Sequence, residues 1–407
     1  MRSWNPTGFI FCLFWMISNV PAGLWAQSNP PGQVIDLQAE YTFGGEITFQ
    51  GRILSSSPVA QALVTLRFEG QPGSVGIPAM FEPEGTARAV YSLTEHPLRV
   101  FSNIYYRFEV ILANGDTISS PEALLYYEDN RFQWQQLGEE PFEIYWYNGN
   151  LAFAQDILAA AQAGLLRAQD LLPLPSPENV KIYVYDNPQA MQAALLLSGQ
   201  SWVAGHAHAE LKVIQVSFPH GPEQRLEMER QIPHELMHVL LYQAGPEGYD
   251  HLPAWLNEGL ASITELSPNP DYRILLDSAY SKGTLLPFAS LCQVFPRDAN
   301  GALLAYAQSA SFTRYLYNQF GKTGLEQLHA QYAAGADCER GLEQALGSSL
   351  VIQENQWRQQ TFTENLWLTA LEGLLPWLVL LIVISCGPLF LAIRALRRRT
   401  APPALNQ

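Results

Sequence analysis

The chain of 407 residues carries 48% hydrophobic and 15% charged side chains, enough apolar material for two domains with cores of their own, and this excludes disorder throughout. Its formal net charge is −15. Arg2 lies in an N-terminal apolar run and Arg394, Arg397, Arg398 and Arg399 follow a C-terminal one, which leaves 18 basic against 38 acidic groups between them, about −20. That balance excludes nucleic acid as a partner and argues against adhesion to anionic lipid headgroups.

Arg2 is followed by "GFIFCLFWMISNV", an apolar run with the length of a signal-peptide core, and "PAGLWAQ" offers Ala26 before a cut, so residues 1–26 are expected to be a signal peptide. Residues 31–130 alternate apolar and polar positions. Ile35, Leu37, Ala39, Tyr41 and Phe43 interleave with Asp36, Gln38, Glu40 and Thr42, Gly44-Gly45 breaks the run, and Asn114-Gly115 marks a tight hairpin. Several such strands predict an antiparallel β-sandwich of the immunoglobulin or fibronectin type, acting as a spacer or recognition module.

The texture changes near residue 140. "FEIYWY" and "VKIYVYD" read as strands, "LAFAQDILAAAQAGLLRAQDLL" between them as a helix, and "LKVIQVSF" as a further strand. Mostly helical sequence follows from Pro253, so residues 140–362 are expected to form an α+β domain. Leu374–Ile393, about twenty residues without a charge, reads as a transmembrane helix, with Trp367 and Trp377 near its outer interface. The arginines after it place residues 394–407 in the cytoplasm and everything before Leu374 outside the membrane. Cys12 and Cys386 belong to the two apolar runs, leaving Cys292 and Cys338 as a disulfide or as two buried thiols.

The chemistry lies in "RQIPHELMHVLLYQAG", residues 230–245. Residues four apart share a helix face, so His234 and His238 can aim at one ion with Glu235 beside it. By chance such a motif arises in about one chain in a hundred of this size, and the alternative is a helix with two ordinary histidines. In "PAWLNEGLAS", Glu258 sits among apolar neighbours, where a lone carboxylate is costly to bury and a metal ligand is neutralised. Two histidines and a carboxylate suit Zn²⁺ with a position open to water.

These motifs resemble those of the gluzincin metallopeptidases. "WLNEGLA" is similar to the corresponding segment of the M1 aminopeptidases, and the active-site and "YAQS" segments are similar to those of the peptidase MA-like family, over residues 140–360. The resemblance implies His234, His238 and Glu258 as zinc ligands, Glu235 as general base, "LKVIQVSF" as the edge holding an extended peptide, and Tyr306 as donor to the oxyanion. Core packing is the alternative for Tyr306, and Tyr315 and Tyr317 are weaker candidates. His206 and His208 read as loop histidines or as groups reaching the cleft.

Three features depart from the relatives. The Gly-x-Met-Glu-Asn segment of M1 enzymes is absent, so aminopeptidase specificity does not carry over. Ser262 stands four residues after Glu258 where thermolysin-like relatives have an aspartate supporting a ligand histidine, with Glu265 as a possible substitute. Pro233 precedes His234, so the active helix begins or bends there. The expectation is a membrane-anchored, extracytoplasmic zinc metallopeptidase acting on a peptide or protein substrate. The rivals are a non-catalytic cell-envelope binding protein on the same scaffold and a zinc hydrolase of another amide.

Overall fold

The computed structural model describes residues 32–82, 84–196, 205–218, 220–362, 374–382 and 384. Eight strands come first: β1 (Gly32–Tyr41), β2 (Glu46–Ser55), β3 (Val59–Phe68), β4 (Val75–Phe81), β5 (Thr86–Ser92), β6 (Ser102–Leu112), β7 (Thr117–Ser119) and β8 (Ala123–Tyr127). Period-two sequence becomes alternating burial, clearest in β2, where Ile47, Phe49 and Ile53 point inward. All the pairings are antiparallel. The order is β1-β2-β5-β4-β3-β6-β7, with β8 also on β6. The expected antiparallel sandwich has its two faces joined in one hydrogen-bonded path, because β4 pairs with β3 through residues 75–79 and with β5 through Met80 and Phe81. The path folds over on itself, bringing Phe49 of β2 to 4.9 Å from Tyr106 of β6 and Phe68 of β3 to 5.6 Å from Tyr91 of β5.

A second sheet contains β9 (Gln135–Glu139), β10 (Phe142–Trp146), β11 (Val180–Tyr185), β12 (Gly205–His208) and β13 (Val213–Ser217), in the order β12-β13-β11-β10-β9. β10, β11 and β13 are parallel, which requires crossovers. The helix α1 (Leu151–Leu171), capped by Asn150 at the Phe153 N–H, links β10 to β11. The segment between β11 and β13 includes α2 (Pro188–Leu196) and β12. Strand "LKVIQVSF" is therefore interior, not an edge; among the described residues the sheet ends at β9 and at β12, and the latter takes His206 and His208 out of a loop.

Both faces of the parallel strands are buried, as helical crossovers demand. Ile144, Ile182, Val184, Ile214 and Val216 join the larger apolar core with the helices α3 (Gln224–Ala244), α5 (Ala254–Thr264) and α7 (Ala299–Ala333). Tyr183 and Tyr185 of β11 belong to the other core, with the first eight strands. Phe101 stacks on Tyr183 at 3.5 Å, the hydroxyls of Tyr126 and Tyr183 lie 2.8 Å apart, and Tyr185 donates to the fully buried Asp129, itself held by Arg131. The shorter helices are α4 (Pro246–Tyr249), α6 (Asp271–Lys282) and α8 (Cys338–Leu346), and residues 350–362 are helical too. Cys292 and Cys338 form a disulfide, deciding between the two readings of that pair.

The expected membrane-spanning helix is not borne out. Its described part, residues 374–382 and 384, is helical. Among the described residues no helix is long and apolar enough to cross a membrane. The fold class is accordingly a β-rich N-terminal part and a mixed α/β part that becomes helical, with no membrane-spanning helix among the described residues. Single-pass anchoring with an outward catalytic domain and a cytoplasmic C-terminus loses its support with that helix. The expected signal peptide, the rest of 374–393 apart from Ile384, and the tail lie outside the described residues.

Candidate metal centre

His234, Glu235 and His238 lie in the middle of α3, not at its start, with Pro233 inside the helix. A proline there forfeits the hydrogen bond to the carbonyl four residues back. That carbonyl, of Glu229, accepts the backbone N–H of Leu266 at 2.9 Å instead, tying α3 to the chain just after α5. The proline ring is received by α1 at Gly164, where an added Cβ would stand 2.9 to 3.0 Å from Pro233. The second helix, α5, lies close against α7 because Gly259 leaves room for Thr313, whose Oγ1 would be 2.1 Å from a Cβ there. The first N–H of α5, at Ala254, donates to the carbonyl of Cys292, so the disulfide region supports the start of the helix that carries Glu258.

This packing brings one nitrogen each of His234 and His238 and a carboxylate oxygen of Glu258 within 4.8 Å of one another. Glu258 Oε2 lies 3.3 Å from His234 Nε2 and 3.6 Å from His238 Nε2. Both imidazoles are held from the outside at Nδ1. Glu265 Oε1 is 3.1 Å from that of His234, and Asn257 Oδ1 is 3.1 Å from that of His238, where Tyr249 Oη also approaches to 3.4 Å. Seven residues after Glu258, nearly two helical turns, Glu265 returns to the same face. Ser262 is buried and its hydroxyl makes no hydrogen bond to either histidine, so Glu265 occupies the supporting position.

Burial alone would lower the His234 imidazole, but Glu258 and Glu265 outweigh it and hold the group well above its ordinary value. His238 is raised too, burial being outweighed mainly by Glu258. Burial would raise Glu258, yet the two imidazoles hold its carboxyl well below the usual range. Glu235 is buried, and burial pushes its carboxyl up against the opposing pull of His234 and His238 and of a hydrogen bond from the Ala207 backbone. That contact comes from the edge strand: Gly205 passes so close that a Cβ would meet Glu235 Oε1 at 2.9 Å.

A cavity of about 650 Å³ opens beside His234 and Glu235, between α2, β12 and α3 on one side and Tyr272, Phe295 and Tyr306 on the other. Tyr306 lines it, its ring 6.2 Å from that of His234 and 5.1 Å from that of Phe295. Burial first, then Glu258 and Glu235, raise its phenol pKa, so the hydroxyl keeps its proton. Tyr315 is elsewhere, buried and donating to Gln353 and Gln356, and Tyr317 packs against the core. His206 and His208 project from the face of β12 opposite Ala207. Their β13 partners are Gln215 and Val213, whereas Ala207 pairs with Ile214 of the helix-side core. Sequence reasoning missed Asn257, Tyr249 and Arg230; the last is four residues before His234, a spacing that continues the ligand face by one turn.

Donors of this kind, on two packed helices, define a gluzincin-like metal cradle. Residues 160–363 match the family model of the peptidase MA superfamily, half of the chain, and the chain belongs to that superfamily. Among solved structures it is similar to a mutant of an M1 zinc metallopeptidase from Deinococcus radiodurans, at 11% identity and a TM-score of 0.34, over 77% of this chain and 90% of that one. It is also similar to an aminopeptidase N family protein from Idiomarina loihiensis, at 8% identity and a TM-score of 0.34, over 78% and 72%. A two-domain M1 zinc metallopeptidase mutant bound to L-arginine matches at 10% identity and a TM-score of 0.36, over 78% and 88%. No curated protein matches the chain.

Proposed function

We propose that the protein is a zinc-dependent peptidase that hydrolyses peptide bonds at this site. The observation that carries the reading is the convergence of His234, His238 and Glu258 within 4.8 Å, with Glu235 buried next to them and not among the three ligands. The donor set fits the metal: both Nδ1 atoms are engaged from outside, leaving Nε2 of each ring turned toward Glu258. Zinc bound there supplies a Lewis acid for the peptide carbonyl and lowers the pKa of water.

The chain's own groups do the rest. Glu235, pinned by the Ala207 N–H, takes a proton from the attacking water on its carboxylate and returns it to the leaving amine. Tyr306, protonated and lining the cavity, donates a hydrogen bond from its hydroxyl to the oxyanion that develops on the scissile carbonyl. β12, at one end of the sheet among the described residues and beside Glu235, would run alongside an extended peptide.

The test is Glu235→Gln. The variant is expected to retain one zinc per chain while losing about a hundred- to ten-thousand-fold in turnover, because an amide takes no proton from water. Full activity in that variant, on a peptide the wild type cleaves, would overturn the mechanism.

A further inference from the structure

Among the described residues lining the cavity beside His234 and Glu235, three carry carboxylates and one, Arg230, carries a guanidinium. Arg230 precedes His234 by four residues in α3, so it occupies the same face about 6 Å along the helix axis. Its Nε donates to the carbonyl of Ser267 at 3.3 Å and its Nη1 to Glu227 Oε1 at 2.7 Å, which hold a side chain that is 19% exposed. A guanidinium has five N–H donors. Nη2 makes no hydrogen bond among the described residues, so the outer end of the group still offers donors.

The acidic groups around it each have a partner of their own, although Glu265 Oε2 is left without one. Glu227 gives its second oxygen to Gln231 Nε2 at 2.9 Å, Glu265 is held at His234, and Glu235 at the Ala207 backbone. Among the described residues only Glu227 pairs its carboxylate with Arg230. The planar end of a guanidinium matches a carboxylate in shape and charge.

We propose that Arg230 binds a carboxylate of the peptide substrate, from an acidic side chain or from a free C-terminus, on the side of the scissile bond that runs toward the start of α3. This rests on the peptidase reading of the metal centre and adds to it the class of peptide preferred. The chain as a whole is acidic and does not attract such peptides at a distance, so the selection is a contact effect that persists in moderate salt.

The test uses the full chain loaded with zinc and one octapeptide sequence. Glu, Gln or Lys is placed at each position in turn, and each peptide is made with a free or an amidated C-terminus. Affinity is measured by calorimetry on the Glu235→Gln form and kcat/KM on the wild type. We expect a carboxylate at one register to bind at least about tenfold tighter than its amide counterpart, in keeping with a charge-assisted hydrogen bond. The substituted-position arm and the C-terminal arm identify its source. Arg230→Gln should erase that preference with zinc content unchanged, and Arg230→Lys should restore part of it.

Equal affinity for Glu and Gln peptides and for free and amidated ends overturns the proposal, as does a preference that survives Arg230→Gln. If peptides are cleaved without regard to charge, the proposal fails and the peptidase reading stands. If no peptide is bound or cleaved, both fail.

Discussion

At the scale of single residues, the centre separates groups that would hold a metal from groups that would act on a substrate. In the proposed mechanism Tyr306 belongs to the second kind: it lines the cavity with its ring 6.2 Å from that of His234. Tyr306→Phe is expected to lower kcat by about a hundredfold or more with little change in KM, since the lost hydrogen bond forms only as charge develops. Steady-state kinetics checks this, and unchanged kcat would return Tyr306 to a packing role. Glu265 belongs to the first kind, acting through His234 Nδ1. Glu265→Ala should weaken zinc binding by about ten- to a hundredfold, measured by competition with a chromogenic chelator. Retained affinity in that variant would show that burial alone orients the imidazole.

At the scale of elements, the edge strand β12 couples a buried titratable group to the site. His208 is 4% exposed and its Nε2 has no hydrogen-bond partner. Burial, with His206 and Arg99 adding to it, pushes its pKa down to about 3. A histidine lowered in the folded state is protonated first in the unfolded chain. Its stabilising contribution is therefore whole above about pH 6.5 and declines as pH falls from there toward 3. Between pH 7 and pH 5 the loss is about 2 kcal/mol. Urea unfolding at the two values measures it, and His208→Leu should remove that part of the acid dependence. The same sensitivity in the variant would assign it to other groups.

At the scale of the molecule, two devices hold the α/β part in shape. The first is the aromatic joint of Phe101, Tyr126, Trp134, Tyr183 and Tyr185, which makes the N-terminal strands a cover for one face of the second sheet rather than a loose spacer. The second is the disulfide between Cys292 and Cys338, 46 residues apart. In the chain-entropy account, closing a loop of that size stabilises the fold by about 4 kcal/mol. Cys338→Ser should cost an amount of that order in chemical denaturation. It should also loosen α5 at Ala254, so that zinc is released to a chelator faster than from the wild type. Wild-type release rates would show that α5 is held by its packing on α7 alone.

The sequence by itself determined the local elements and the ligand spacing, because both depend on short-range periodicity. Alternation in 31–130 specified strands, and a four-residue step placed His234 and His238 on one face. Long-range partners were only partly legible. Glu258 was recoverable from its motif, and Glu265 only as a possibility, since nothing in the spacing says that the turn after α5 folds back onto α3. Asn257, Tyr249 and the carboxylate-seeking end of Arg230 acquire their roles from neighbours remote in sequence. The edge of the second sheet was misplaced for the same reason: strand order is a matter of pairing, and β12 is too short for its pattern to show. Only the tertiary structure decided that β4 joins both faces of the first unit, that Cys292 meets Cys338, and that Pro233 sits inside α3. The last is possible because Leu266 and Gly164, far along the chain in either direction, supply the hydrogen bond and the space that a proline in a helix requires.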